Sequence, residues 1–483
     1  MANAIDGLKP ALVWKYFAEI SLIPRGSKNE TAIAKYLVDT AKTLGLEALQ
    51  DAAGNVLARK PASAGRERVA SVCLQGHMDM VCEKNKDTAH DFLKDPITLV
   101  RKGNFMTASG TTLGADNGIA VATCLAIMED RTLTHGPLEF LFTVDEETGL
   151  TGANNLQPGF LKSSILMNLD SEDEGELYVG CSGGRDNTGT WAAAWDDAPA
   201  GGTGLLVTVK GLKGGHSGLE IHTGRGNALK IVTRVLIGLE ALGARVAKVE
   251  GGNKRNAIPR EAEAIVSLPK AKAAEAAGYV AKMNDTVKAE LATVEPGLVI
   301  ACQPQKGVRK VFKKPLQKKV LLTLAGLPHG VLKMSADIPG LVETSTNLAI
   351  IETTKQAIKI QTSQRSSVAS EIGEAAQMVR AVFALGGAVA TGSDGYPGWK
   401  PNMASPILKL AQSTYKSMFG KEPEIKAVHA GLECGIIGEK YPGMDMVSFG
   451  PTMREVHSPN EHLYIDTVEK FYAFLLGILQ NVK

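Results

Sequence analysis

Apolar positions in the first fifty residues recur every three to four places, as Leu12, Tyr16 and Phe17 and then Ile33, Tyr36, Leu37, Ala41 and Leu44. That spacing predicts two surface helices between residues 10 and 45, each burying one stripe. The pattern then changes. Residues 69–75, 138–144 and 165–169 are short, mainly apolar runs, and a helical pattern over 119–128 separates the first two. Such runs predict strands buried in a mostly parallel sheet, and residues 445–449 read as a fourth.

Past Gly183-Gly184 the texture shifts. Residues 190–204, TWAAAWDDAPAGGTG, read as an edge strand followed by a turn-rich connection, so a second domain is expected to begin near Asp186. Within it, strands are expected over 205–211, 262–268, 320–324, 348–352 and 357–362, with helices over 226–242, 271–291 and 368–385. Two ferredoxin-like lobes account for that series. The glycine- and proline-rich stretch 391–401, TGSDGYPGWKP, reads as a return linker. The expected fold is therefore α/β: a mostly parallel open-sheet domain made from residues 1–185 and 400–483, and an inserted α+β domain over 186–399.

Composition fits this picture. At 483 residues the chain exceeds what one core supports, and 51 glycines beside only 5% aromatics suit the many strand-to-helix turns of an α/β protein. Charge narrows the partners. With 53 basic against 51 acidic residues there is no global field for nucleic acid or an anionic membrane, and a small neutral substrate fits better. The basic stretch 308–319 has no interleaved aromatics and reads as a solvated face. Six cysteines without a close pair predict a reducing compartment. The N-terminal MANAIDGLKPALVWKYF lacks the apolar core of a secretory signal, and no run of about 18 apolar residues occurs, so a soluble, cytoplasmic protein with no membrane partner is expected.

The chemistry lies at the strand ends. His77 in GHMD follows the first predicted strand, Glu146 and Glu147 in TVDEETG the second, Asp170 in MNLDSE the third, and His457 in GPTMREVHSPNE the fourth. Open α/β sheets bind ligands beyond the carboxyl ends of their strands. Asp116 in GADNG instead precedes a helix, in an N-cap-like position. Taken singly, each acidic residue reads as a cap or a solvated charge, and His77 as a satisfied core histidine. Together they offer two imidazoles and at least three carboxylates, a set that suits paired borderline cations such as Zn²⁺ better than Mg²⁺.

Metal-assisted hydrolysis is the leading expectation. Asp116 is the candidate bridge between two cations roughly 3.5–4 Å apart that share an attacking hydroxide. Asp79, two residues beyond His77, points to the same side and can fix its tautomer. Glu146 and Glu147 point in different directions, so one can bind metal while the other reaches the attacking water. Glu146 is expected to be the general base, passing the proton on to the leaving amine.

The segments LQGHMDMV, GTTLGADNGIA, FTVDEETGLTGA, KGLKGGHSG, HAGLECGII and GPTMREVHSPNE resemble the co-catalytic zinc dipeptidases, aminoacylases and carboxypeptidases, and within that superfamily the aminoacyl-histidine dipeptidases. The resemblance implies one zinc on His77, Asp116 and Asp170 and another on Asp116, Glu147 and His457, with Co²⁺ or Mn²⁺ as other ions. It also implies Glu146 as base, Asp79 as orienting residue and a cis peptide at Asp116-Asn117. In the inserted domain, which becomes a lid, His216 would face the oxyanion. Arg365 would capture a substrate carboxylate and Asn256 would line the lid, although the pattern around them departs from the common Asp-x-Arg form. Glu433 would pair with a free amino terminus, while Cys434 packs beside it.

The insertion, about 215 residues, is roughly twice that of smaller relatives, so its second lobe would stand in for a dimer partner. A homodimer is still the preferred assembly. The implied activity is hydrolysis of dipeptides, including Xaa-His and β-alanyl-histidine. An N-acyl amino acid deacylase or a carboxypeptidase is the alternative, and a non-catalytic binding homologue is the alternative of another class.

Overall fold

The computed structural model describes residues 4–483; Met1 to Asn3, the start of the stretch MANAIDGLKPALVWKYF, lie outside the described residues. The chain forms two compact units. The first comprises the described residues up to Gly180 together with Pro401–Ala427 and Leu432–Lys483, and the second comprises Cys181–Lys400 and Val428–Gly431.

An eight-stranded sheet organises the first unit, in the order Glu47–Gln50, Val56–Lys60, Leu138–Thr143, Val72–His77, Ile165–Asn168, Asp445–Ser448, Glu176–Cys181, Glu424–Val428. Its four central strands, from Leu138–Thr143 to Asp445–Ser448, run parallel. They are buried on both faces, which is why their sequences are apolar runs rather than alternations. The helix Ala115–Glu129, buried around nearly its whole circumference, packs against the helix Ala11–Ser21 and the Val72–His77 strand. The strand expected over 69–75 runs instead from Val72 to His77, so His77 is its last residue.

The second unit is built on a nine-stranded sheet with helices over its core. Gly202–Lys210, helix Ala228–Ala241, Arg245–Gly251, Ala262–Pro269, helix Ala273–Glu290 and Val299–Gln305 follow one another as β-α-β-β-α-β. Gly183–Ala192, helix Lys314–Gly326, Val342–Thr353, Ala357–Ser366, helix Ala369–Leu385 and Val389–Gly392 repeat that series. In each lobe the first and third strands are central and the second and fourth flank them, the ferredoxin-like order. The first lobe is spliced between the first strand and first helix of the other, and the sheets join where Gly251 pairs with Ile351.

One expectation fails here. Residues 320–324 are not a strand: they lie in helix Lys314–Gly326, where Leu316, Val320, Leu321 and Leu324 are buried at helical spacing and Leu322 is exposed. A five-residue apolar run cannot by itself distinguish the two periods, and Pro315 in the first turn is the signal that does. The stretch 190–204 holds the end of Gly183–Ala192, which lies between Ala357–Ser366 and Val389–Gly392, and the short strand Trp195–Asp197, which forms a two-stranded sheet with Lys310–Phe312 and so is an edge.

Candidate metal centre

His77 ends its strand, and four further segments bring Asp116, Glu147, Asp170 and His457 to it at the carboxyl ends of the parallel strands. His77 Nε2 lies 3.0 Å from Asp116 Oδ1 and 3.4 Å from Asp170 Oδ1. His457 Nε2 lies 3.1 Å from Asp116 Oδ2 and 2.9 Å from Glu147 Oε2. Asp116 therefore stands between two imidazoles and offers one oxygen to each. Donor atoms held about 2.0–2.1 Å from a tetrahedral ion are roughly 3.3 Å apart, so these separations suit two coordination polyhedra sharing Asp116. The peptide bond between Asp116 and Asn117 is cis. His457 and Asp145, in the loops that deliver the ligands, adopt left-handed φ values of 61° and 49°, backbone states that non-glycine residues keep where surrounding structure dictates them.

A second set of buried groups fixes these loops. Asp79 is fully buried; Oδ1 faces His77 Nδ1 across 3.3 Å and accepts the Glu146 N–H, while Oδ2 accepts the Ser27 hydroxyl and the Glu147 N–H. It thus ties one histidine to the start of the glutamate turn. Glu461 accepts the backbone N–H groups of Leu113, Gly114, Ala115 and Asp116 at 2.7–3.3 Å. Arg25 donates from Nη1 to the carbonyls of Met78 and Asp79, and from Nη2 to that of Gly114. Neither Arg25 nor Glu461 had been picked out from the sequence. Glu461 was within reach, as the last letter of GPTMREVHSPNE; Arg25 sits in a turn with no motif around it.

The electrostatics of the cluster call for cations. Burial, reinforced by Asp116 and Glu147, pushes the Asp170 carboxyl up to about 6, and burial with Asp116 and Asp170 raises Glu172 to about 7. Glu146 is also raised well above the ordinary range, by burial first and then by Asp170, Glu433 and Glu147, with His77 opposing. Hydrogen bonds with Asp116 and Glu147 lift His457 to about 11. Asp116, Glu146, Glu147 and Asp170 thus cluster around the imidazoles of His77 and His457, and Glu147 Oε1 is buried without a partner. That donor set fits two divalent ions, which would neutralise the crowding and use the orphaned oxygen. One Glu146 oxygen lies within 4.8 Å of ligand atoms of His77 and Glu147, yet Glu146 belongs to neither Asp116 triad.

Glu433 lies in the first unit, fully buried, with Oε2 accepting from Gln75 Nε2 at 2.6 Å and from the Thr143 hydroxyl at 2.7 Å. Its Oε1 has no partner, and burial raises its pKa to about 7. The other three expected residues belong to the second unit. His216 Nδ1 accepts the N–H groups of Gly218 and Leu219, so the neutral ring carries its proton on Nε2. Burial, then Arg365, holds that ring neutral by lowering its pKa to about 4. Asn256 lines, with His216, a cavity of about 1120 Å³ on this unit. Arg365 is 7% exposed and donates from Nη1 to the Tyr396 hydroxyl; among the described residues no carboxylate pairs with it.

Residues 73–481 match the family model described as peptidase family M20/M25/M40. The chain belongs to that family. It is 41% identical over 481 residues to the cytosol non-specific dipeptidase of Escherichia coli (strain K12), covering 99% of each chain. The crystal structure of aminoacylhistidine dipeptidase from Vibrio alginolyticus superposes with a TM-score of 0.93 at 43% identity, over 100% of this chain and 98% of that one. The M20 fold extends to more distant proteins: aminopeptidase PepT from Bacillus cereus aligns with a TM-score of 0.57 at 16% identity, over 98% and 99% of the two chains.

Proposed function

We propose that this M20 protein is a metal-dependent dipeptidase of broad side-chain range, including Xaa-His and β-alanyl-histidine. The observation that carries the reading is the Asp116 carboxylate, placed between His77 with Asp170 on one side and His457 with Glu147 on the other. Those five residues would hold two divalent cations. Zn²⁺ is the proposed ion, with Co²⁺ and Mn²⁺ as alternatives, because imidazole and carboxylate donors suit all three. Bound ions would acidify the attacking water and polarise the scissile carbonyl.

The chain's own groups would do the rest. Glu146, buried and with an elevated proton affinity, takes the proton from the attacking water and returns it to the leaving amine. Asp79 fixes the His77 ring and the Glu146 backbone together. His216, a neutral Nε2–H donor, would stabilise the oxyanion. Arg365, with Asn256 beside the lid cavity, would take the substrate carboxylate, and the free Glu433 Oε1 would take its ammonium.

A cytoplasmic location is supported by the name of the Escherichia coli relative. No helix among the described residues is long and apolar enough to cross a membrane. The proposed assembly is a homodimer, to be checked by sedimentation.

Chelation followed by add-back of Zn²⁺, Co²⁺ or Mn²⁺ tests the function, read on β-alanyl-histidine, cysteinyl-glycine, a tripeptide and an N-acyl amino acid. Metal-restored cleavage of the two dipeptides alone is expected. Preferential cleavage of the N-acyl amino acid would replace the reading with a deacylase.

A further inference from the structure

In the second unit, the register of three strands sets Gly184, Arg365 and Ser345 side by side. Directly opposed residues in antiparallel strands share a sheet face, so whatever lies over Gly184 and Ser345 flanks the Arg365 guanidinium. Tyr396 lies over Gly184, where an added Cβ would be 2.6 Å from its ring, and its hydroxyl accepts from Arg365 Nη1 at 2.9 Å. His429 lies over Ser345, with Nε2 2.7 Å from the Ser345 hydroxyl.

The segment that brings His429 there is held from two directions. The Ser182 N–H donates to the carbonyls of Val428 and Ala430, and the His429 carbonyl presses on Gly218, where a Cβ would be 1.9 Å away. His429 is 5% exposed.

What this row lacks is an anion. Arg365 Nε and His429 Nδ1 are both buried without a hydrogen-bond partner, as are the hydroxyls of Ser182 and Ser217 on the adjoining segments. Orphaned buried polar atoms are few in native proteins, because each forfeits its hydration without a replacement. A buried guanidinium without a carboxylate is costlier still. Burial first, and then Arg365, His216 and His222, lower the His429 pKa to about 3 against the opposing Val342 carbonyl, so the ring is neutral.

We infer that His429, oriented by Ser345, is a specificity-determining residue that completes, beside Arg365, a pocket for the C-terminal carboxylate of the peptide substrate. This rests on the dipeptidase reading. With the Ser345 hydroxyl donating to Nε2, the His429 proton sits on Nδ1, the free atom, and gives the carboxylate a directional donor next to the guanidinium charge. Ser345 is a positioning residue.

The test compares glycyl-alanine with glycyl-alanine amide, which lacks the charge the pocket is built for. His429→Ala is expected to raise KM for the free acid by about tenfold or more while leaving kcat/KM for the amide within about twofold. His429→Gln should recover part of the loss, and Ser345→Ala should shift KM in the same direction by less. Equal losses on acid and amide, or none on either, would overturn the inference. Thermal midpoints establish that each variant is folded, and Ser345→Ala carries the test if His429→Ala is not. Calorimetric titration of the metal-free protein with N-acetylalanine and with its amide separates the two readings. Preference for the acid, lost in His429→Ala, supports the pocket even if no dipeptide is cleaved; equal binding of acid and amide contradicts it.

Discussion

The Glu461 carboxylate encloses the backbone of Asp116: four consecutive N–H groups, from Leu113 to Asp116, converge on its two oxygens. The residue between the two imidazoles is thus aimed by an acid 345 positions further along the chain. Glu461→Gln puts an NH₂ group where two N–H donors now point. Metal retention should weaken by about 10–100-fold, as for other groups that orient metal ligands. Competition with a graded chelator measures it, and an unchanged affinity would remove Glu461 from this role.

Glu146 stands near the ligands but outside both Asp116 triads. Glu146→Gln should therefore lower kcat by roughly 10²–10⁴-fold while two ions per chain remain bound. Kinetics beside elemental analysis read both quantities. Undiminished hydrolysis, or lost metal, would assign the residue differently.

Glu433 keeps one buried oxygen free. If that oxygen receives the substrate's ammonium, N-acetylated dipeptides should be cleaved at least about tenfold more slowly than free ones, the cost of losing a charged hydrogen bond. Equal rates would return Glu433 to a purely structural place beneath the ligands.

His329 supplies a prediction for stability. Its Nδ1 accepts from Asn227 Nδ2 at 3.3 Å, and Asn227 caps the helix Ala228–Ala241. Burial lowers the ring's pKa from 6.5 to about 4, with Lys230 adding to the effect. Between those values the unfolded chain binds a proton that the folded chain does not, so stability falls as pH drops through that window. Urea midpoints recorded from pH 7 to 4 should fall less steeply for His329→Gln than for the unaltered chain. Parallel curves would show that this ring plays no part.

The sequence was most legible where periodicity and chemistry coincide. His77, Glu147 and Asp170 end apolar runs, and runs buried on both faces of a parallel sheet need no partner to be recognised. Residues 320–324 were misread because five apolar positions satisfy either period. The row Gly184, Arg365 and Ser345 was invisible for another reason: it exists only through the register of strands whose paired residues lie up to 181 positions apart, which no local pattern encodes. Arg25 and Glu461 escaped because they act on backbone atoms, and such contacts leave no spacing rule in the chain.

The most direct measurement is anomalous diffraction from crystals of the full chain grown with Zn²⁺. Two peaks about 3.5–4 Å apart are expected, one on either side of the Asp116 carboxylate, with His77 and Asp170 on the first and His457 and Glu147 on the second. A single peak, or two peaks that do not share Asp116, would contradict this assignment.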